Sequence, residues 1–163
     1  MPRWTSFPLS PAADVPDVHE IAIGQAIYAE IVASQAETRS FADTQLSTRD
    51  GACVTFSGIV RDHDADRAVR ELEYACHPSA EDVLALIAGE IATRHPQVSS
   101  VRVAHRTGLL QISDCALFAE VCAAHRAPAF AACSDLVEDV KKHLPVWKRQ
   151  VFVDGTEEWV NSP

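Results

Sequence analysis

The sequence predicts an α+β domain built on a mixed, mainly antiparallel sheet. Three observations carry that prediction. Strand-like runs outnumber helical ones. Short turns join several strands as hairpins, which antiparallel pairing allows and parallel pairing does not. Two stretches with a helical apolar period stand between groups of strands instead of alternating with each of them. In order, the chain reads β(α)β-loop-β-α-β-β-α-β-β.

Residues 1–50 read as an N-terminal extension with a short strand and helix. Pro2, Pro8, Pro11 and Pro16 fall in a stretch without periodicity, an irregular arm. Ile21–Ile31 reads as a short strand running into a helix, because Ile23, Ile27 and Ile31 recur at i+4. Gln35–Asp50 is polar and reads as a loop.

Residues 51–163 carry the main unit, and the whole is a single domain. Gly51–Val60 (GACVTFSGIV) is the clearest strand, with β-branched and aromatic residues bounded by Gly51 and a charged turn. Gly58 within it marks a bulge or a close backbone approach. Arg61–Arg67 (RDHDADR) is a charged loop, and Glu71–Cys76 alternates as a second strand, expected to pair with the first like a hairpin. Pro78–Asp82 opens a helix, with a proline and acids where a helix start favours them. Val83, Leu84, Ile87 and Ile91 bury one face of it, up to His95-Pro96. Val101–Leu110 and Cys115–Ala124 are two strands about a turn at Ser113-Asp114. Phe130, Cys133, Val137, Val140 and Leu144 then recur at spacings of 3, 4, 3 and 4, a helix with one buried face. Pro145 stops it, since proline has no N–H to give and pushes the preceding residue out of the α region. Val151–Val153, a turn at Asp154-Gly155, and Trp159-Val160 close the chain as a small hairpin.

The bulk composition narrows the function. A chain of 163 residues with 47% apolar content has a real core and room for one domain. Its formal charge of −9 disfavours nucleic acid or an anionic membrane as partner. No apolar run reaches the length of a membrane span, and Met1-Pro2-Arg3-Trp4 does not begin a secretory h-region, so a cytoplasmic setting is expected. Five cysteines, an odd number without C-x-x-C, read as buried thiols. The seven histidines are scattered without ligand spacing, so neither a metal nor another cofactor is expected.

Against that acidic background, Lys141-Lys142-His143-Leu144-Pro145-Val146-Trp147-Lys148-Arg149 is conspicuous. Lys141 falls in the last helical turn and Lys148 in the extended segment after it, so amines from two elements can converge. Arg61 and His63 follow a strand, and His125-Arg126 stands between a strand and a helix. Strand ends and helix starts can hold an anion jointly with cations. Taken singly, each has a plainer reading: a solvated helix end, Arg61 paired with Asp62 or Asp64, a histidine making one hydrogen bond. Their coincidence points to an anionic substrate and to stabilisation of developing negative charge, with a lysine as acid, base or acyl acceptor. His105-Arg106 reads as structural. No Ser-His-Asp elbow, Walker loop or G-x-G-x-x-G is present.

Gly51-Ala-Cys-Val-Thr-Phe-Ser-Gly-Ile-Val-Arg-Asp-His-Asp64, Leu72-Glu-Tyr74, His105-Arg-Thr-Gly108, Ala124-His-Arg126, Phe130-Ala-Ala-Cys133, Lys141-x-x-x-Pro-Val-Trp-Lys-Arg149, Asp154-Gly155 and Trp159-Val160 occur in this order. In these motifs the chain resembles the large, catalytic subunit of molybdopterin synthase across residues 51–160. The resemblance implies an α/β hammerhead-like fold with a small additional sheet. It implies transfer of sulfur to cyclic pyranopterin monophosphate, the pterin substrate, in molybdenum cofactor biosynthesis. The donor it implies is the C-terminal Gly-Gly thiocarboxylate of a small ubiquitin-like sulfur-carrier subunit. It further implies a homodimer of the large subunit within a heterotetramer. By position, Lys141 and Lys148 match the family's essential lysines. Arg61, His125 and Arg126 match its substrate-pocket residues, and Phe56 and His63 lie in the motif around that pocket. Gln150 departs from a glutamate common in the family, and Asp64–Arg67 lacks the usual glycine. Two rival readings are a non-catalytic partner-binding homologue and a metal-independent phosphohydrolase acting on a cyclic phosphate.

Overall fold

The computed structural model describes residues 25–34 and 46–161. Within them run β1 (Ala26–Val32), β2 (Ala52–Ile59), β3 (His63–Asp64), β4 (Arg67–Cys76), α1 (Ala80–Arg94), β5 (Val98–Arg106), β6 (Gly108–Leu110), β7 (Cys115–Ala123), α2 (Arg126–His143), β8 (Val146–Phe152) and β9 (Glu157–Asn161). The α+β class holds. The first sheet has the order β1-β5-β7-β2, with β1 parallel to β5 and the other pairs antiparallel. The second joins β3, β4, β8 and β9 in that order, all antiparallel, with β6 paired to the opposite end of β4.

Both helices lie against the first sheet. Leu84, Ile91 and Leu136 are completely buried in one cluster with Val101, Val103 and Val121 of the strands beneath. Truncating a leucine at such a site costs about 2–5 kcal/mol, so this layer dominates stability. The apolar spacing expected of α2 puts Cys133, Val137, Val140 and Leu144 into that cluster, but Phe130, one turn from its start, is 62% exposed. The helix ends at His143, and Leu144 is already extended (φ −67°, ψ 123°) ahead of Pro145.

Three local expectations are corrected. β1 is a strand through Ile27 and Ile31 and makes no helix before Val32. A spacing of four is even, so it satisfies the two-residue period of a strand as well as a helical turn. The Ile23 end of that expectation and most of the 35–50 loop lie outside the described residues. Second, β2 pairs with β7, not with β4. β4 folds back instead on β3, through a two-residue turn in which Ala65 (φ 45°) and Asp66 (φ 68°) both take positive φ, the requirement of a type I′ hairpin. Third, the strand expected over 101–110 breaks at Thr107. Gly108 (φ 83°) redirects the chain, so β5 stays in the first sheet while β6 joins β4 in the second.

Gly58 shows both features expected of it. The β2–β7 register shifts between Gly58 and Ile59, and a Cβ at Gly58 would come within 3.3 Å of the Leu117 Cβ and of the Phe56 ring. The shift carries the end of β2 off the first sheet and toward the second, and Val60 is pinned there by backbone hydrogen bonds with Ser113 and Asp114. Among the described residues no helix is long and apolar enough to cross a membrane.

Candidate active site

The junction of the two sheets leaves a cavity of about 530 Å³. Its walls come from the end of β2 and the loop after it, from β4, β5, β7 and β8, and from the last turn of α2. The pleat decides which side chains of β8 enter. Lys148 and Gln150 share one face and line the cavity. Arg149 projects to the other face, where Glu73, its cross-strand partner, holds the guanidinium at 2.6 Å and Glu157 at 3.2 Å. Lys141 enters from α2, its Nζ 5.9 Å from the centroid of the Phe56 ring. Pro145 makes this meeting possible: it ends the helix within a turn of Lys141, and the chain continues at once as β8, which pairs with β4 and carries Lys148 into the same cavity.

Phe56, Arg61, His63, Lys141 and Lys148 thus line one cavity, as their sequence positions suggested. His125 and Arg126 do not line it. They begin α2, Lys141 lies in its last turn, and at 1.5 Å per residue about 22 Å of helix axis separates them. Both are exposed. His125 is the N-cap, without a side-chain capping bond, and the first turn of α2 holds no acid. That end carries the positive pole of the helix together with a guanidinium.

Four polar lining residues fall outside the set expected from the sequence. Asp64 stands between the cations, with its carboxylate 3.6 Å from the Lys148 Nζ and 3.8 Å from an Arg61 nitrogen. A hydrogen bond from the Gln150 side chain, opposed by partial burial and reinforced by Lys148 and Arg61, holds the Asp64 carboxyl below its usual range. The plainer reading of Arg61, paired with Asp64, is therefore true as well. Gln150 is itself only 3% exposed.

His105 and Tyr74 form the third and fourth. The imidazole is buried and meets the Tyr74 ring edge-on, with centroids 4.9 Å apart. Burial pushes the His105 pKa down to about 4, partly offset by a hydrogen bond to the Arg106 carbonyl. A carbonyl only accepts, so Nδ1 carries the proton (2.9 Å) and Nε2 keeps its lone pair. Burial also raises the Tyr74 hydroxyl, keeping it protonated. Arg106, by contrast, is structural as expected, bound at 2.9 Å to Asp114. The sequence signal for His105 was its place in His105-Arg-Thr-Gly108. Its burial, which sets its chemistry, depends on the second sheet.

On the opposite face of the first sheet, Cys53 and Cys122 sit directly across β2 and β7, with sulfurs 3.0 Å apart and Glu120 beside them. Cys53 is exposed, against the buried thiol expected of the cysteines, and Cys122 is buried. Partial loss of solvent around the sulfur, then the Cys122 hydrogen bond and the Glu120 charge, push the Cys53 thiol above its ordinary range.

The MoaE protein family model matches residues 29–143. A molybdopterin synthase catalytic subunit of Staphylococcus epidermidis is 38% identical over 129 residues, 78% of this chain and 85% of its own length. The crystal structure of molybdopterin synthase from Staphylococcus aureus matches with a TM-score of 0.74 at 33% identity, covering 81% of this chain and 96% of that one. A complex of subunits 1 and 2 of molybdopterin-converting factor from Helicobacter pylori shares the fold, with a TM-score of 0.59 at 16% identity over 85% of this chain and 89% of that one.

Proposed function

The chain belongs to the MoaE protein family, and from that premise we propose how its cavity works. Its activity is that of a molybdopterin synthase catalytic subunit, a sulfurtransferase of molybdenum cofactor biosynthesis. Its partner is a small sulfur-carrier subunit, whose C-terminal thiocarboxylate delivers sulfur to cyclic pyranopterin monophosphate in the cytoplasm. The observation that carries the reading is the entry of Lys141 and Lys148, from two different elements, into one cavity.

Both reactants are anionic, and the cavity presents Arg61, Lys141 and Lys148 to them. Lys141 stands by the terminal carbonyl of the carrier tail, polarising it or taking its acyl group as the sulfur leaves. Lys148 assists the proton transfer. Arg61 grips the pterin phosphate, with His63 and Phe56 shaping the pocket around the ring. Fixed cations aimed at developing negative charge in a partly dehydrated site are a strong source of rate enhancement.

His125 and Arg126 complete the substrate site from a second copy of the chain. The length of α2 supports this, because one chain cannot bring both ends of the helix to one small molecule. A homodimer can, and the acid-free start of α2 suits a phosphate. Residues 51–163 then act as the catalytic unit, and residues 1–50 as its extension.

The test is single-turnover formation of the dithiolene from purified protein, thiocarboxylated carrier and cyclic pyranopterin monophosphate, comparing wild type with Lys141→Ala. Product from wild type and little from the variant is expected. Product from both would remove Lys141 from the mechanism. No product from either, with the carrier bound, would mark a partner-binding protein without the chemistry, and phosphate release without carrier would mark a hydrolase.

A further inference from the structure

We propose that Asp64 is a positioning residue of this site, its carboxylate holding Lys148 toward the cavity while Gln150 holds the carboxylate. The proposal deepens the reading of Lys148 given above and rests on it. The two Asp64 oxygens divide their work: Oδ2 lies 3.6 Å from the Lys148 Nζ and Oδ1 lies 3.8 Å from Arg61. Gln150 follows Lys148 by two positions on β8, so both project from the same face of the strand. Asp64, Lys148 and Gln150 line the same cavity, and since an ionised carboxylate only accepts hydrogen bonds, the Gln150 amide nitrogen is the group proposed to face Asp64. That amide is buried, whereas the carboxylate and both cations are partly solvated. The buried member is therefore the fixed post, and the order of support runs from Gln150 to Asp64 to Lys148.

The arrangement answers a physical need. Lys148 and Arg61 are like charges at the rim of one cavity, and lysine has a flexible four-carbon stem that prefers water. A carboxylate set between them by the β3–β4 turn cancels their repulsion and limits where the ammonium can go. Its own position is set by the turn at Ala65-Asp66. A carboxylate facing an amide can be exchanged for an amide facing a carboxylate without loss of the hydrogen bond, and this makes the idea testable.

The experiment compares wild type, Asp64→Asn, and the exchange variant Asp64→Asn/Gln150→Glu in single-turnover sulfur transfer. Acylation of Lys148 by acetic anhydride is followed in parallel by mass spectrometry. Asp64→Asn is expected to slow transfer about tenfold, the equivalent of one lost charge-assisted contact. It is also expected to speed Lys148 acylation several-fold, because the ammonium is no longer held. The exchange variant returns both readouts toward wild type. A purely structural role for Asp64 predicts the opposite, since asparagine is a good turn residue and a glutamate at position 150 has no reason to help. Unchanged Lys148 acylation in Asp64→Asn, or an exchange variant no better than the single one, overturns the proposal. The acylation readout needs no turnover, so a failure of the sulfur-transfer reading is seen separately, as wild-type protein that makes no product.

Discussion

The two ends of α2 carry similar side chains in different settings. At its C-terminal end, Lys141 shares a cavity with the chain that follows it, because Pro145 ends the helix and β8, pairing with β4, brings Lys148 into the same lining. At its N-terminal end, His125 and Arg126 stand exposed after β7, and neither lines that cavity. A basic residue at a helix end gains a site only where other elements bring side chains to the same cavity. Within one chain that condition is met at one end.

The sharpest way to break this contrast is substitution within a single turn. Lys141→Ala is expected to lower the single-turnover rate at least a hundredfold, in the range general acid–base or electrostatic groups supply. Lys142→Ala, next to it but outside the cavity lining, should stay near wild type. Equal losses in the two would mean that the net charge of the helix end matters and the cavity does not.

A second effect belongs to the cavity wall and is read in stability. His105 has a folded pKa of about 4, below the unfolded value near 6.5. Between those values the unfolded chain binds the extra proton. The stabilisation is therefore fully present above pH 6.5 and is lost as the pH falls toward 4. It amounts to about 3 kcal/mol. Urea midpoints of wild type and His105→Gln, taken at intervals from pH 7.5 to 4.5, measure it. Wild type should lose stability more steeply, and parallel curves would show that the imidazole is not held neutral.

Arg126→Ala tests the other end. It is expected to raise the pterin concentration needed for half-maximal rate about tenfold, with little change in the maximal rate. Mixed dimers of Lys141→Ala and Arg126→Ala chains should recover one intact site if the two ends meet across copies. If they add nothing to the activity of the Arg126→Ala parent, His125 and Arg126 lie outside the site. The smallest effect concerns the turn that presents Asp64. Ala65→Gly relieves a positive φ of 45° and should stabilise the fold by about 1 kcal/mol, measurable as a higher urea midpoint.

Much of the site was legible because its cues are local. The stop at Pro145 implied that Lys141 and Lys148 lie on different elements, and the charged turn after Gly51–Val60 put Arg61 and His63 at a strand end. Asp64 and Gln150 stand out in the sequence only as departures, one opening a turn without the usual glycine and one where a glutamate is common, and nothing local says that they face each other. Their meaning arises from a hydrogen bond between elements far apart in the chain. His105 looks structural in the sequence for the same reason, since a histidine on a strand does not announce that a second sheet will bury it.

By itself the sequence determined α1 and α2, most of the strands, the stop after His143 and the distortion at Gly58, though not that the Ile27–Ile31 stretch is a strand. Those follow from backbone geometry and from apolar periods that act over a few residues. Tertiary structure alone decided that β2 pairs with β7 while β4 turns back on β3, and that the cavity lies at the Lys141 end of α2 and not at the His125 end. It also decided that Asp64 meets Lys148 and Gln150. Strand partners are chosen by which faces can be buried together, and charges meet where those packed faces leave a gap. Both depend on the whole chain at once, and a periodic pattern records only one side of each contact.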